Sequence, residues 1–133
     1  MKEKSKSLKP SESDMTLARM AVVASSIAFG IEADEIIRPH RGAERITMAR
    51  QTTYWLLRVG GVMSYKKIGE VLGGRDHGTT LHGYRKVENE LELNLPRGYA
   101  QCILDAEKYF NEFSAHHRSK ELARKSKEFE NAV

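Results

Sequence analysis

Residues 73–86, GGRDHGTTLHGYRK, bring glycines and hydroxyl side chains together in a spacing similar to that of a phosphate-binding loop. Gly73 and Gly78 frame four residues and are followed by Thr79 and Thr80. A phosphate-binding loop needs a lysine directly before its Ser or Thr, and a strand leading into the glycines. Thr79 stands at the lysine position and a helical pattern leads in, so the sequence does not indicate a nucleotide site.

The same segment contains two histidines, which raises the question of a metal site. His77 and His82 are five residues apart, whereas two ligands on one helix are typically four apart. Cys102 is remote, and no nucleophile, base and orienting group come together at a recognisable spacing. The sequence therefore predicts no metal ion, no other cofactor and no enzyme.

A third hypothesis is that the segment contacts DNA. A helix starting near Asp76 places its apolar residues on one side: Leu81, Tyr84, Val87 and Leu91. The opposite side carries polar and charged groups: Arg75, Thr79, His82 and Lys86. Such side chains suit base edges and phosphates, and Asp76 can accept from cytosine or cap the helix. Gly78 and Gly83 each cost about 1 kcal/mol in a helix, which favours a close approach of the backbone to another surface.

Helical periodicity runs through most of the chain, and there is no convincing strand pattern. Ser13 or Asp14 can cap a first helix that ends near Phe29, with Gly30 as its left-handed cap. Further helices are expected over five stretches: 33–37, about 43–59, 64–72, about 76–94, and one after Pro96. In the last of these, Tyr99, Ile103, Ala106, Phe110 and Phe113 form an apolar stripe that we expect to pack on its own domain. Beyond His117 the sequence predicts either a solvated helix or disorder.

Charge is concentrated in the middle of the chain. The net charge is +4, but residues 38–86 hold ten Lys/Arg and three acids, which favours a polyanionic partner. A single cysteine indicates a reducing compartment. Acidic residues interrupt the basic N-terminal region, and no run of about 18 apolar residues occurs. We therefore expect a cytoplasmic, nucleoid-associated protein without membrane contact.

The segment GGRDHGTTLHGYRKVE resembles the signature of the C-terminal DNA-binding domain of DnaA, the bacterial chromosomal replication initiator family. Ala49-Arg50-Gln51 is similar to the family's A/P-R-Q, and residues 64–69, SYKKIG, to its S-x-x-E-I-G. The resemblance covers roughly residues 15–93. It implies an all-α, multi-helix bundle with a Trp-repressor-like helix-turn-helix and, here, an extra C-terminal helix.

The resemblance also implies roles for individual residues. Asp76, His77, Thr79 and His82 would contact the major groove. From the preceding helix, Arg50 and Gln51 would contact backbone or bases, and Arg58 would contact phosphate. Of the loop arginines, Arg41 is chosen for the minor groove, with Arg38 and Arg45 as substitutes. The full set of expected DNA contacts is Arg41, Arg45, Arg50, Gln51, Arg58, Lys66, Arg75, Asp76, His77, Thr79, Thr80, His82 and Lys86.

Three departures from the family pattern bear on function. Gly78 stands where the family usually has Ser or Thr, so the DNA sequence preferred can differ. Tyr65 and Lys66 replace the common Leu-Pro on a surface that meets DNA. No part of the chain resembles the family's ATP-binding motor domain.

The resemblance implies sequence-specific binding of double-stranded DNA at DnaA-box-like sites, which regulates replication initiation or nearby transcription. A helix-turn-helix regulator with an unrelated operator, or a protein-interaction module acting through the C-terminal helix, are the alternatives. The expected partners are double-stranded DNA and replication or transcription proteins. We expect the protein to bind DNA as a monomer, and a dimer formed through the last helix is the alternative. The expected organisation is a disordered basic tail (1–13), the DNA-binding domain (14–95) and a helical extension with a polar tail (96–133).

Overall fold

The computed structural model describes residues 9–38 and 42–132. These residues form six α-helices and contain no strand: α1 (Glu12–Phe29), α2 (Ala33–Ile37), α3 (Glu44–Val59), α4 (Tyr65–Val71), α5 (His77–Leu93) and α6 (Ala100–Ala132). The all-α class and the helix-turn-helix arrangement are confirmed. Within the described ranges, no helix is both long and apolar enough to span a membrane.

The first helix begins two residues earlier than expected. Ser11 is the N-cap, and its hydroxyl accepts a hydrogen bond from Asp14 N at 3.0 Å, while the Asp14 carboxylate accepts one from Ser11 N. The hydrogen bond from the Ser11 backbone lowers the pKa of Asp14 below its usual value. The predicted caps at Ser13 and Asp14 are therefore wrong, because the reciprocal capping box satisfies two backbone donors at once. Residues 12 and 13 belong to α1 rather than to a tail, and residues 1–8 lie outside the described part.

The core is formed chiefly by α1, α3 and the first half of α6. Leu56 and Leu57 of α3 are fully buried, as are Ile103 and Ala106 of α6. At one end of the α1–α6 pair, the rings of Phe29 and Tyr99 are 6.0 Å apart. The expectation that the apolar stripe of the last helix packs on its own domain is confirmed.

The helix-turn-helix is formed by α4 and α5. Ser64 caps α4 by accepting from Lys67 N at 3.1 Å. In the turn, Gly73 and Gly74 have φ of 91° and 85°, a region that is strained for residues with a side chain. A Cβ on Gly69 would lie only 1.9 Å from the Arg75 carbonyl oxygen, so the turn packs directly on α4.

The C-terminal half of α5 is fixed to the rest of the bundle by two carboxylates. Trp55 Nε1 of α3 donates to Glu88 at 2.7 Å, and Tyr99 N, just before α6, donates to Glu90 at 2.7 Å. One side of the N-terminal half of α5 is exposed, while Thr80 and Gly83 on its other side are buried.

Candidate nucleic-acid interface

One side of α5 is exposed over its first three turns and carries polar and cationic groups. The exposed residues of α5 from its start to Asn89 are His77, Gly78, Thr79, His82, Arg85, Lys86, Glu88 and Asn89. Four of the predicted contact residues, His77, Thr79, His82 and Lys86, therefore lie on one surface. Arg85 and Asn89 share that surface but are absent from the contacts predicted from the sequence. Arg85 follows His82 by three residues, so the same helical spacing places it on this surface.

Asp76 caps α5 at the edge of this surface. Its Oδ1 accepts from Thr79 N at 2.8 Å, and this hydrogen bond to the backbone lowers the pKa of the carboxyl group below its usual value. The carboxylate also lies at the positive end of the helix dipole. Asp76 is exposed, so its carboxylate caps the helix and stays accessible to solvent.

Thr80 does not belong to the exposed surface. It is fully buried, and its hydroxyl donates to the carbonyl oxygens of Tyr65 at 2.8 Å and His77 at 3.0 Å. The predicted DNA contact by Thr80 needs correction, because its hydroxyl joins α5 to the start of α4.

Two of the predicted DNA-contacting arginines hold the C-terminal end of α2. Arg50 donates to the carbonyl oxygens of Glu35 at 2.7 Å and Ile36 at 2.9 Å. Arg75 donates to those of Ile37 at 2.8 Å and Arg38 at 3.1 Å. Four successive carbonyls are thus bound by two guanidinium groups, one from α3 and one from the helix-turn-helix turn. Both arginines support the loop after α2, and their expected contact with DNA stays a prediction.

Arg45 and Arg58 also have partners inside the domain. Arg45 Nε donates to the Phe29 carbonyl at 2.8 Å, and its guanidinium lies 5.9 Å from the Tyr99 ring centroid. Arg58 donates to the Met63 carbonyl at 2.9 Å and lies 4.8 Å from the centroid of Tyr65. These contacts position α1, α3, α4 and α6, and the expected DNA contacts of both arginines stay predictions.

The remaining predicted contacts occupy three different settings. Gln51 is half-buried on α3 and lines a shallow cleft with Lys86 of α5. Lys66 is exposed in the first turn of α4. Arg41 lies outside the described residues, so the choice of a loop arginine for the minor groove stays a prediction.

The two helical glycines of α5 differ in what surrounds them. A Cβ on Gly83 would lie 2.5 Å from Cδ2 of Tyr54, because the helix backbone packs on the α3 side chain. A Cβ on Gly78 would meet Asp76 Oδ1 at 3.5 Å, an ordinary contact. The α5 backbone therefore approaches another surface closely at Gly83 but not at Gly78. The surface that it approaches is α3 of the same domain.

The described ranges contain no group of three or more His, Cys, Asp or Glu side chains that could hold a metal ion. The geometry of the α5 surface is instead suited to hydrogen bonding and charge contacts with a polyanion. The N-terminal end of α5 projects these groups while α4 packs behind it, which is the geometry of a helix-turn-helix.

Comparison with known proteins agrees with this geometry. A family model described as "Bacterial dnaA protein helix-turn-helix" matches residues 20–87, just over half of the chain. One similar protein is the chromosomal replication initiator protein DnaA of Herpetosiphon aurantiacus, which is 40% identical over 47% of this chain and 13% of its own length. The DnaA protein of Thermomicrobium roseum is 44% identical over 47% of this chain and 13% of its own length. The counterpart from Porphyromonas gingivalis strain W83 is 38% identical over 53% of this chain and 15% of its own length. The matched region therefore spans less than one sixth of each of these relatives.

Proposed function

Since the chain belongs to the bacterial DnaA helix-turn-helix family, we propose that it binds double-stranded DNA at short, asymmetric, A·T-rich sites similar to DnaA boxes. The observation that carries the proposal is the exposed face of α5, whose polar groups are not used in packing the domain. His77, Thr79 and His82 are exposed, and Asp76 caps the helix that carries them. A rigid helix with exposed donors at its N-terminal end is what direct recognition of base edges requires.

The contacts divide by chemistry. His77, Thr79 and His82 would contact base edges in the major groove, and the exposed carboxylate of Asp76 would accept from a cytosine amino group. Lys66, Arg85 and Lys86 would bind phosphates, which fix the position of the protein without selecting sequence. Gln51 lies beside Lys86 and would contact the adjacent backbone or base. Arg41 would enter the neighbouring minor groove, whose negative potential is strongest at narrow A·T tracts.

Occupation of such sites by a monomer would regulate replication initiation or the transcription of nearby genes. A helix-turn-helix regulator with an unrelated operator is the second candidate, and Gly78 favours it in one respect. Glycine offers no hydroxyl at a position of the recognition helix that faces solvent, so one base contact of the family can be absent.

Competition between labelled and unlabelled duplexes tests the proposal. A duplex containing a DnaA-type box is expected to displace bound label at a concentration at least about 1,000-fold lower than a scrambled duplex of equal length and composition. Measurements at two or more salt concentrations separate this preference from general phosphate binding. Equal competition by both duplexes would contradict specific recognition.

A further inference from the structure

The last helix is much longer than the helix it packs against. α6 has 33 residues and α1 has 18. The buried positions of α6 end at Ser114, and Leu122 and Phe129 are each 72% exposed. About half of α6 therefore contributes no buried residue to the domain, and all of α6 lies beyond the matched residues 20–87.

The charge of α6 changes sign where the packing ends. Residues 100–114 contain three acids and one lysine, whereas residues 115–127 contain five Lys/Arg and one acid. Arg124 forms ion pairs with Glu121 and Glu128. Among the described residues, four other cations of the segment are exposed and form no ion pair: Arg118, Lys120, Lys125 and Lys127. This part of α6 is a basic surface rather than a ladder of balanced charges.

Contacts at the start of α1 relate this basic segment to the helix-turn-helix. Ser13 and Thr16 of α1 line a shallow groove together with Arg118 of α6. In the same turn of α1, Asp14 forms an ion pair with Lys67 of α4 at 3.1 Å. The first turn of α1 therefore contacts both the start of the basic segment and the first turn of α4.

The position of α4 matters because the first helix of a helix-turn-helix crosses the DNA backbone when the second helix enters the major groove. Thr80 binds the Tyr65 carbonyl, so the N-terminal ends of α4 and α5 are joined. On the other side of the first turn of α1, α6 extends roughly 25 Å from Ser114 to its end, at a rise of 1.5 Å per residue.

We infer that residues 118–127 of α6 bind the phosphate backbone of the duplex that flanks the recognised site. The inference rests on the proposed binding of DNA by α5, and it adds a second contact region outside the family's helix-turn-helix. Lysine and arginine side chains on a solvated helix bind phosphates without reading sequence. The segment would therefore raise affinity for longer duplexes without changing the preferred site.

The test compares the full chain with the double variant Lys120→Gln, Lys127→Gln. These two lysines are seven residues apart and share one side of α6, and glutamine retains helix propensity. The matched control is Arg97→Gln, Lys108→Gln, which removes two exposed cations before and within the packed half of α6. Each protein is titrated with a duplex that holds the site alone and with duplexes extended by one helical turn, about 10 base pairs, on either side.

For the natural chain and the control, extension on one side is expected to increase affinity. The double variant should lose that increase, and the slope of log affinity against log salt on the extended duplex should fall by about 1.8, or about 0.9 for each lost phosphate contact. Affinity for the short duplex should be unchanged. If extension of the duplex changed affinity equally in all three proteins, the inference would be overturned.

Two further arms separate the possible outcomes. If the double variant loses binding to phosphatidylglycerol-containing vesicles while its flank dependence on DNA is unchanged, the segment contacts lipid and the inference is wrong. A scrambled duplex series tests the inference independently of the proposed function. Loss of site preference with a retained flank effect on scrambled DNA would contradict the function and support the inference.

Discussion

On the inner side of α5, Thr80 and Gly83 are buried against α4 and α3, whereas on the outer side Gly78 and Thr79 face solvent. The two sides contain the same residue types at neighbouring positions. The inner threonine hydroxyl binds a carbonyl of α4, and the inner glycine makes room for the ring of Tyr54. Residue type alone therefore does not identify a DNA contact, because the side of the helix decides whether the group is already used within the protein.

The basic residues show the same difference. Arg50 and Arg75 bind the last carbonyls of α2 and its following residue, whereas Arg85, Lys86 and Lys66 are exposed. Removal of the first group should affect folding and loop position. Removal of the second should affect DNA affinity and its salt dependence.

Substitution of the inner glycine should have the largest effect. Gly83→Ala places a Cβ 2.5 Å from the Tyr54 ring, and overpacking of this kind costs about 1–3 kcal/mol. Urea unfolding followed by circular dichroism measures the loss. The control is Gly78→Ala, which meets only ordinary contacts and should stabilise α5 by about 0.5–1 kcal/mol. Equal stability of the two variants would show that the assigned packing of α5 is wrong.

The two threonines should separate recognition from folding. Thr79→Ala is expected to weaken binding to the preferred site by about 1–3 kcal/mol, with little change in the free energy of unfolding or in affinity for scrambled DNA. Thr80→Ala should instead lower the free energy of unfolding by about 1 kcal/mol, because a buried hydrogen bond is lost. His77→Ala should behave like Thr79→Ala. Equal loss of specific and non-specific binding in the Thr79 variant is incompatible with base contact.

Much of the fold could be predicted because its signals are local. Gly30, Ser64 and Asp76 cap helices within a few residues, and Gly73-Gly74 ends α4 by backbone conformation. The start of α1 was misplaced although the Ser-x-x-Asp pattern of Ser11 and Asp14 was present in the sequence.

The site was harder to predict because several partners are distant in sequence. Arg75 and Ile37 are 38 residues apart, and Trp55 and Glu88 are 33 apart. Helical spacing gives the side of a helix on which a residue lies, but not which other helix covers it. Helical spacing correctly places Thr79 on the exposed side of α5 and Val87 on the buried side. It does not show that Arg50 and Arg75 bind carbonyls of α2.

A matched arginine pair distinguishes support from DNA contact. Arg75→Ala should reduce the free energy of unfolding by about 1 kcal/mol, because hydrogen bonds to carbonyls of the α2 end are lost. Arg85→Ala should leave unfolding unchanged, weaken binding to all duplexes alike, and lower the salt slope by about 0.9. The two readings come from denaturation and from salt-dependent titration. Identical behaviour of both variants would remove the distinction.

The smallest effect concerns the cap of α5. Because the pKa of Asp76 is lowered in the folded state by its hydrogen bond from Thr79, the carboxylate stabilises the fold above its unfolded pKa. That contribution disappears as pH falls through the lower, folded pKa. Asp76→Asn can still cap the helix, so its stability should vary less with pH in the acidic range than that of the natural chain. Parallel stability profiles from thermal unfolding would argue against an ionised cap.

Selection of bound sequences from a random duplex pool tests most directly the claim that the outer side of α5 recognises DNA sequence. The account predicts enrichment of one short, asymmetric, A·T-rich site by the natural chain, with Thr79→Ala retaining general DNA binding but losing enrichment at one or two positions of that site. A pool that stays random under conditions where the protein binds DNA, or an identical site selected by Thr79→Ala, would contradict it.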